Sequence, residues 1–157
     1  MSATVGRWCL PVLLGTCLGC TSPFAGFDEP SLSRSSCYGL CPVYVVSVKR
    51  TGEVTFTGRQ NVKAIGTFTD HISREGIAAL DEALAGVDFF KIEEIECSAY
   101  ATDNPSITIE VRRGSRVKRV SYYLGCKSGL GSELERLAET VDEVAIVQQW
   151  RLPRWRS

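Results

Sequence analysis

Hydrophobic and polar residues alternate along two stretches of the chain, and each stretch predicts a β-hairpin. The first carries apolar residues at every second position on both sides of a turn at residues 50–52: Tyr44, Val46, Val48, Val54 and Phe56. A period of two places these side chains on one face of a strand pair. We therefore expect a hairpin that begins at residue 42. A third strand is expected over residues 62–69, with Gly66 as a candidate bulge.

The second alternating stretch follows an irregular acidic segment at residues 93–105. Its apolar positions lie on both sides of a turn at Gly114: Ile107, Ile109, Val111, Val120, Tyr122 and Leu124. Val117 is out of phase with this set, and a bulge near Lys118 would restore the alternation. The pattern therefore predicts a second hairpin with a bulge in its return strand.

Two further stretches repeat their apolar residues every three or four positions, which is typical of amphipathic helices. The first covers residues 73–87, where Ser73 is the expected cap. The second covers residues 132–144, where Ser132 and Glu135 form the pattern of a capping box. The order β-β-β-α-β-β-α predicts an α+β domain: an antiparallel sheet of about five strands, with the two helices packed on one face.

The N-terminal region instead follows the pattern of an export signal. Arg7 precedes an apolar stretch at residues 8–19, which is shorter than the ~20 residues that a membrane-spanning helix needs. The stretch ends in Leu18-Gly19-Cys20, which resembles the end of a bacterial lipobox, although Cys17 stands where leucine is usual. We predict a signal peptide over residues 1–19 and lipidation at Cys20. A cleaved signal without lipid is the alternative.

The segment after Cys20 shows no sustained period. Residues 21–36 are rich in Ser, Pro and Gly, so residues 20–36 are expected to be the lipidated cysteine and a flexible tether. Residues 21–36, sixteen in all, would span about 50 Å if the segment were fully extended. One folded domain is expected over residues 37–150, followed by a basic and aromatic tail over residues 151–157.

These features predict a location at the bacterial cell envelope. The residues after Cys20 include no adjacent aspartate, which resembles lipoproteins that are sent to the outer membrane. We expect a periplasm-facing protein that is held in the membrane by an N-terminal lipid with acyl chains such as palmitate. An envelope protein or the cell wall is the expected partner. Eighteen basic and eighteen acidic residues give zero formal charge, so no global field attracts nucleic acid, and we expect no such partner.

The seven cysteines suit an oxidising compartment. Apart from the N-terminal region, four remain: Cys37, Cys41, Cys97 and Cys126. Four cysteines allow three pairings. We favour Cys37–Cys41 with Cys97–Cys126, since the second pair would join the long acidic loop to the end of the second hairpin.

The segment CYGLCPVY at residues 37–44 resembles the CxGxCPxY signature of a bacterial family of domains of unknown function, number 6438, that is common in predicted lipoproteins. The resemblance extends over roughly residues 33–150 and includes DFF at residues 88–90, TDNP at residues 102–105 and Trp150. Cys97 and Cys126 are not part of this signature. The family implies no known activity, so the resemblance transfers no catalytic residue.

The CxxxCP spacing also supports an alternative, a thiol-disulfide or metal-handling protein. Copper-delivery proteins with a thioredoxin-like fold carry this spacing together with a distant histidine, and His71 is the only histidine in the chain. In that fold the cysteines precede a helix, whose N-terminus lowers the thiol pKa. Here Pro42 leads into a predicted strand, so we favour a structural disulfide.

Other candidate sites fit their motifs poorly. The chain has no G-x-S-x-G elbow, and Asp70 and Ser73 beside His71 are interpreted as turn and cap residues. In the GCKSGLGS stretch, Cys126 stands where a phosphate loop needs glycine. The acidic residues Glu93, Glu94 and Glu96 lack the spacing of a calcium loop. We therefore expect no catalytic residue, no cofactor and no metal site.

Basic residues are concentrated in two places. One is the second hairpin, with Arg112, Arg113, Arg116, Lys118 and Arg119. The other is WRLPRWRS at residues 150–157, which mixes tryptophan and arginine in a way that suits an anionic interface; a solvated hairpin face and a frayed terminus are the alternatives. Taken together, the sequence favours a non-catalytic binding or structural module of the envelope.

Overall fold

The structure is a computed structural model that describes residues 26–93 and 95–151, with only the backbone of Gln148. The predicted signal peptide, the lipidation site Cys20 and tail residues 152–157 lie outside the described residues. The elements, in chain order, are β1 (Glu29–Arg34), β2 (Val43–Val48), β3 (Glu53–Gln60), β4 (Gly66–His71), α1 (Arg74–Gly86), β5 (Ala99–Tyr100), β6 (Ser106–Arg113), β7 (Arg116–Tyr123), β8 (Cys126–Lys127) and α2 (Gly129–Val144). Short 3-10 helices lie at Phe89–Lys91 and Val147–Gln149.

Six strands form one antiparallel sheet in the order β4-β3-β2-β1-β6-β7, and β5 and β8 form a separate two-stranded pair. Both predicted hairpins are present, as β2–β3 and β6–β7. The predicted α+β class with an antiparallel sheet is confirmed. The sheet has one strand more than the sequence predicts.

The additional strand is β1, which lies at the centre of the sheet. The tether prediction is therefore wrong for residues 29–34. Leu32 pairs with Val46 of β2 on one side and with Ile109 of β6 on the other. Pro30 and Leu32 are buried, whereas the serines between and after them face the opposite side. A sheet covered on one face needs apolar residues only at alternate positions, so this polar segment is sufficient for a central strand.

The two helices cover one face of the sheet, as predicted. A single row of paired inner-face residues runs across five strands: Phe56, Val46, Leu32, Ile109 and Val120. Against this face α1 buries Leu80 and Leu84, and α2 buries Leu134, Leu137 and Val141. Among the described residues, none of the helices is long and apolar enough to cross a membrane.

Three local predictions are wrong. The β6–β7 pairing runs without a register shift, and Val117 is exposed on the outer face, so the chain has no bulge at Lys118. Gly66 begins β4 at a positive φ of 105° and pairs in register with Gly58. The register shift lies instead between Val43 and Tyr44 in β2.

The third wrong prediction is the capping box of the second helix. Helix α2 begins at Gly129, one residue after Ser128. Ser132 therefore lies inside the first turn, where its Oγ donates to the Ser128 carbonyl oxygen at 3.4 Å. In the first helix, by contrast, Ser73 is the cap, and its side chain accepts a hydrogen bond from the Gly76 N–H at 3.4 Å.

Candidate functional site

The CYGLCP segment lies at one end of the sheet, between β1 and β2. A disulfide joins Cys37 to Cys41, whose Cα atoms are 5.6 Å apart; we call residues 37–41 the disulfide ring. Gly39 has a φ of +149°, a conformation that is easiest for a residue without a Cβ. The Tyr38 N–H donates to the Asp103 carbonyl oxygen at 3.3 Å. The ring therefore packs against the TDNP segment.

The disulfide ring points its largest side chains away from the protein. Tyr38 is 89% exposed and Leu40 is 83% exposed. They are the two most exposed large hydrophobic side chains among the described residues. Because the disulfide closes the loop around them, the ring displays an aromatic and an aliphatic group on a short, constrained segment.

Beneath the ring, four polar side chains converge in the interior; we call Arg34, Tyr44, Asp142 and Arg151 the Asp142 network. Tyr44 donates its hydroxyl hydrogen to Asp142 Oδ1 at 2.7 Å. Arg34 donates to Asp142 Oδ2 through Nη2 at 2.8 Å and Nε at 3.1 Å, and its Nε also reaches the Tyr44 hydroxyl at 2.8 Å. Arg151 donates from Nη1 to Asp142 Oδ2 at 3.3 Å. The network joins β1, β2, α2 and the C-terminal segment.

Burial and charge determine the protonation of this network. Burial raises the pKa of the Tyr44 hydroxyl, and the nearby Asp142 carboxylate raises it further. Burial lowers the pKa of Arg34, but the Asp142 carboxylate and Tyr44 outweigh it, so the pKa is raised overall. Tyr44 is thus a neutral hydrogen-bond donor, and the guanidinium groups of the network are cations because arginine is not deprotonated in proteins. Two cations and one carboxylate leave the network with a net charge of about +1.

The folded domain extends further toward the C-terminus than the sequence predicts. Trp150 is 9% exposed, and its ring stacks on Phe56 with centroids 4.9 Å apart. Its carbonyl oxygen accepts hydrogen bonds from Lys63 and Ala64 at 2.9 and 3.2 Å. Trp150 is therefore a core residue, and the proposed anionic interface is wrong for it. Arg151, which the sequence assigns to the tail, is part of the domain.

A second disulfide joins Cys97 to Cys126, with Cα atoms 5.3 Å apart. The structure thus contains the two pairings that the sequence favours. The Ser98 N–H donates to the Lys127 carbonyl oxygen at 2.9 Å, at the start of the β5–β8 pairing. The Cys97–Cys126 disulfide holds the 97–105 loop at the end of the second hairpin. Because that loop also contacts the disulfide ring through Asp103, both disulfides support the same end of the domain.

The family profile described as "Domain of unknown function (DUF6438)" matches residues 29–145, more than half of the chain. The chain belongs to this family. The match begins with β1, in agreement with the structural role of that strand, and ends directly after α2. No curated protein matches the chain.

Two of the remaining candidate residues, Asp70 and His71, lie in strand β4. Asp70 and His71 lie on opposite faces of β4, since Asp70 pairs with inner-face Val54 and His71 with outer-face Glu53. Asp70 accepts a hydrogen bond from Gln149 Nε2 at 2.7 Å. In the described part of the chain, no three His, Cys, Asp or Glu side chains converge as metal ligands.

The described acidic candidates are solvent-exposed, and several of the basic ones are paired. Glu93 and Glu96 are exposed, and Glu94 is outside the described residues. In the basic hairpin, Arg119 pairs with Glu110 through bonds of 2.6 and 2.9 Å. The guanidinium carbons of Arg113 and Arg116 lie 4.2 and 5.0 Å from the Phe90 ring centroid. These three arginines therefore have partners within the domain.

Sequence reasoning missed three members of the Asp142 network. Arg34 falls within the predicted tether and Arg151 within the predicted tail, and Asp142 falls within the predicted second helix without being singled out. One local signal was present: Arg34 lies two residues after buried Leu32, so it occupies an inward position of β1. A charged residue at an inward position requires a buried partner.

Proposed function

We propose that this protein is a lipid-anchored lipoprotein of the bacterial cell envelope, and that its domain is a non-catalytic module that binds an envelope partner through the disulfide ring. The observation that carries the binding role is the exposure of Tyr38 and Leu40 on a closed loop. Large apolar side chains that folding leaves in water are a common feature of recognition surfaces.

The closed loop makes these side chains suitable for binding. Association loses affinity when a mobile loop must be ordered, and a disulfide reduces that loss in advance. A tyrosine contributes a large contact area with few rotatable bonds. The neighbouring 97–105 loop is fixed by its own disulfide, so the surface beside the ring is also held in place.

The non-catalytic role rests on how the polar groups are used. In the Asp142 network the carboxylate oxygens accept bonds from Arg34, Tyr44 and Arg151. The thiol-disulfide alternative lacks its usual support, because Cys41 and Pro42 lead into strand β2 rather than into a helix N-terminus. No described geometry favours that alternative.

The anchored arrangement places the domain near the membrane. Phe27 is 1% exposed and belongs to the core, so only residues 21–26 separate it from Cys20. An extended segment of that length spans about 25 Å, roughly half of what a tether over residues 21–36 would span. The partner is therefore expected on or close to the membrane that carries the lipid.

Anchoring is tested by fractionation of cells that express the full chain. Wild-type protein is expected in the membrane fraction with a diacylglyceryl-cysteine at its N-terminus by mass spectrometry. Cys20→Ala should abolish that modification. A soluble wild-type mature chain that begins at another residue would contradict the anchoring proposal.

Binding is tested by comparative enrichment. Detergent-solubilised mature protein is immobilised as wild type, as the Tyr38→Ala/Leu40→Ala double variant and as Val117→Ala, which removes an exposed apolar side chain from another strand. Envelope components that are retained by wild type and Val117→Ala but lost by the double variant would support the proposal. Equal enrichment on all three proteins would refute the role of the ring.

A further inference from the structure

A small crevice lies beside the disulfide ring and above the Asp142 network. It has a volume of about 80 Å³. Its walls include the side chains of Arg34 and Arg151 and the residues Ser35 and Ser106, together with Cys41, two prolines and Leu124. Tyr44 and Asp142 hydrogen-bond to these arginines but do not line the crevice. The crevice therefore combines two cationic side chains with two serines and several apolar groups.

Both guanidiniums retain unused donors. Arg34 uses Nε and Nη2 toward Tyr44 and Asp142, and Arg151 uses Nη1 toward Asp142. Among the described residues, Nη1 of Arg34 and Nε and Nη2 of Arg151 donate to no protein atom. Their side chains are only 14% and 13% exposed, so the orientation of these donors is fixed by packing and by Asp142. An oxygen acceptor in the crevice would meet donors that are already in place.

The local charge selects the kind of acceptor. Arg34, Arg151 and Asp142 together carry a net charge of about +1. A monoanion would neutralise this partly buried group, whereas a phosphate dianion would leave excess negative charge away from water. The volume is sufficient for one carboxylate group or for a few water molecules.

We propose that the crevice is a binding site for a single carboxylate group, which Arg34 and Arg151 hold through their unused N–H donors. The carboxylate is that of a small organic acid or of a chain terminus. This proposal goes beyond the function above, because it depends neither on the lipid nor on Tyr38 and Leu40. Failure of either proposal therefore leaves the other standing.

The test is a titration of ¹⁵N-labelled mature protein that follows the side-chain Nε–H signals of Arg34 and Arg151 by NMR. Sodium acetate is the probe, and sodium chloride at equal ionic strength and neutral acetamide are the controls. We expect saturable shifts with acetate, smaller shifts with phosphate at pH 8, and no saturable shift with either control. N-acetylglycine should bind more tightly than acetate if the site takes a chain terminus, and less tightly if it takes a free acid.

Variants separate the site from general surface charge. Arg151→Gln leaves the Arg34–Asp142 pair intact and should weaken acetate binding about tenfold. Arg119→Gln, on an exposed strand, should leave binding unchanged, and Arg151→Lys should give an intermediate loss. Asp142→Asn raises the local charge and should increase phosphate binding relative to acetate. Acetate shifts equal to those with chloride, or unchanged acetate affinity in folded Arg151→Gln, would overturn the proposal.

Discussion

The disulfide ring and the Asp142 network occupy the same end of the sheet, yet they reverse the usual distribution of side chains. The ring places a tyrosine and a leucine in water, while the network places a carboxylate and two guanidiniums inside the protein. Folding alone favours the opposite arrangement. The network accounts for its own burial through its hydrogen bonds, but no contact of the fold accounts for the exposure of Tyr38 and Leu40.

The difference separates residues that hold this end together from residues that remain free for a partner. If that separation is correct, changes in the network should strongly destabilise the protein, and changes in the exposed ring side chains Tyr38 and Leu40 should leave its stability almost unchanged.

The largest effect is expected from Asp142→Asn. This change leaves Arg34 and Arg151 without their anionic partner in a buried position, and breaking a buried ion pair costs about 3–5 kcal/mol. Glu110→Gln is the matched control, because it breaks the exposed pair with Arg119 and should cost less than about 1 kcal/mol. Chemical denaturation measures both, and equal losses would contradict the structural role of the network.

The next largest effect is expected from the two disulfides, which should differ in how much they contribute to the free energy of unfolding. In the loop-entropy model the ring of about thirty residues closed by Cys97–Cys126 contributes about 3.6 kcal/mol, and the ring of about five residues closed by Cys37–Cys41 contributes about 2 kcal/mol. Replacing both cysteines of a pair by alanine and comparing the free energies of unfolding tests this ranking. A larger loss from the Cys37→Ala/Cys41→Ala protein would show that the disulfide ring mainly stabilises the fold.

Tyr44→Phe should have a smaller effect that depends on pH. At neutral pH it removes a hydrogen bond to Asp142 and should cost about 1–3 kcal/mol. Burial raises the pKa of Tyr44 in the folded state, so above about pH 10 the unfolded chain loses this proton first. Stability should therefore fall as the pH rises above that value.

The comparison with wild type isolates the contribution of Tyr44. Above pH 10 the unfolding free energy of Tyr44→Phe should fall less steeply with pH than that of wild type. The two slopes should differ by up to about 1.4 kcal/mol per pH unit. Denaturant melts between pH 7 and pH 11 measure both slopes. Parallel curves would mean that Tyr44 does not carry the alkaline sensitivity.

The smallest effect on stability is expected from the disulfide ring itself. Tyr38→Ala and Leu40→Ala should each change the free energy of unfolding by less than about 0.5 kcal/mol, because both side chains are exposed. Thermal or denaturant unfolding measures this directly. A loss above about 1 kcal/mol would indicate that these side chains pack in the folded state and are not reserved for a partner.

Much of the fold could be predicted from the sequence because the sheet is covered on one face only. Period-two and period-three-to-four patterns therefore remain visible in the hairpins and helices. Strand β1 was missed because only Pro30 and Leu32 of its six residues are apolar, and its serines gave it the composition of a linker. Its identity as a central strand depends on β2 and β6, which no local pattern contains.

The candidate site was predicted in part. The favoured Cys37–Cys41 pairing indicated a closed loop, and the structure has that loop. The Asp142 network could not be predicted, because Arg34 and Asp142 are 108 positions apart in the chain. Only the packing of α2 on β1 and β2 brings their charges together.

Photo-cross-linking in living cells tests most directly whether the disulfide ring is a recognition surface. A photoreactive amino acid replaces Leu40 in one protein and Val117 in the other, since both side chains are exposed but only Leu40 belongs to the disulfide ring. We predict a discrete cross-linked product at position 40 and none at position 117. Equal cross-linking at both positions, or none at position 40, would contradict the claim that this end of the domain is a recognition surface.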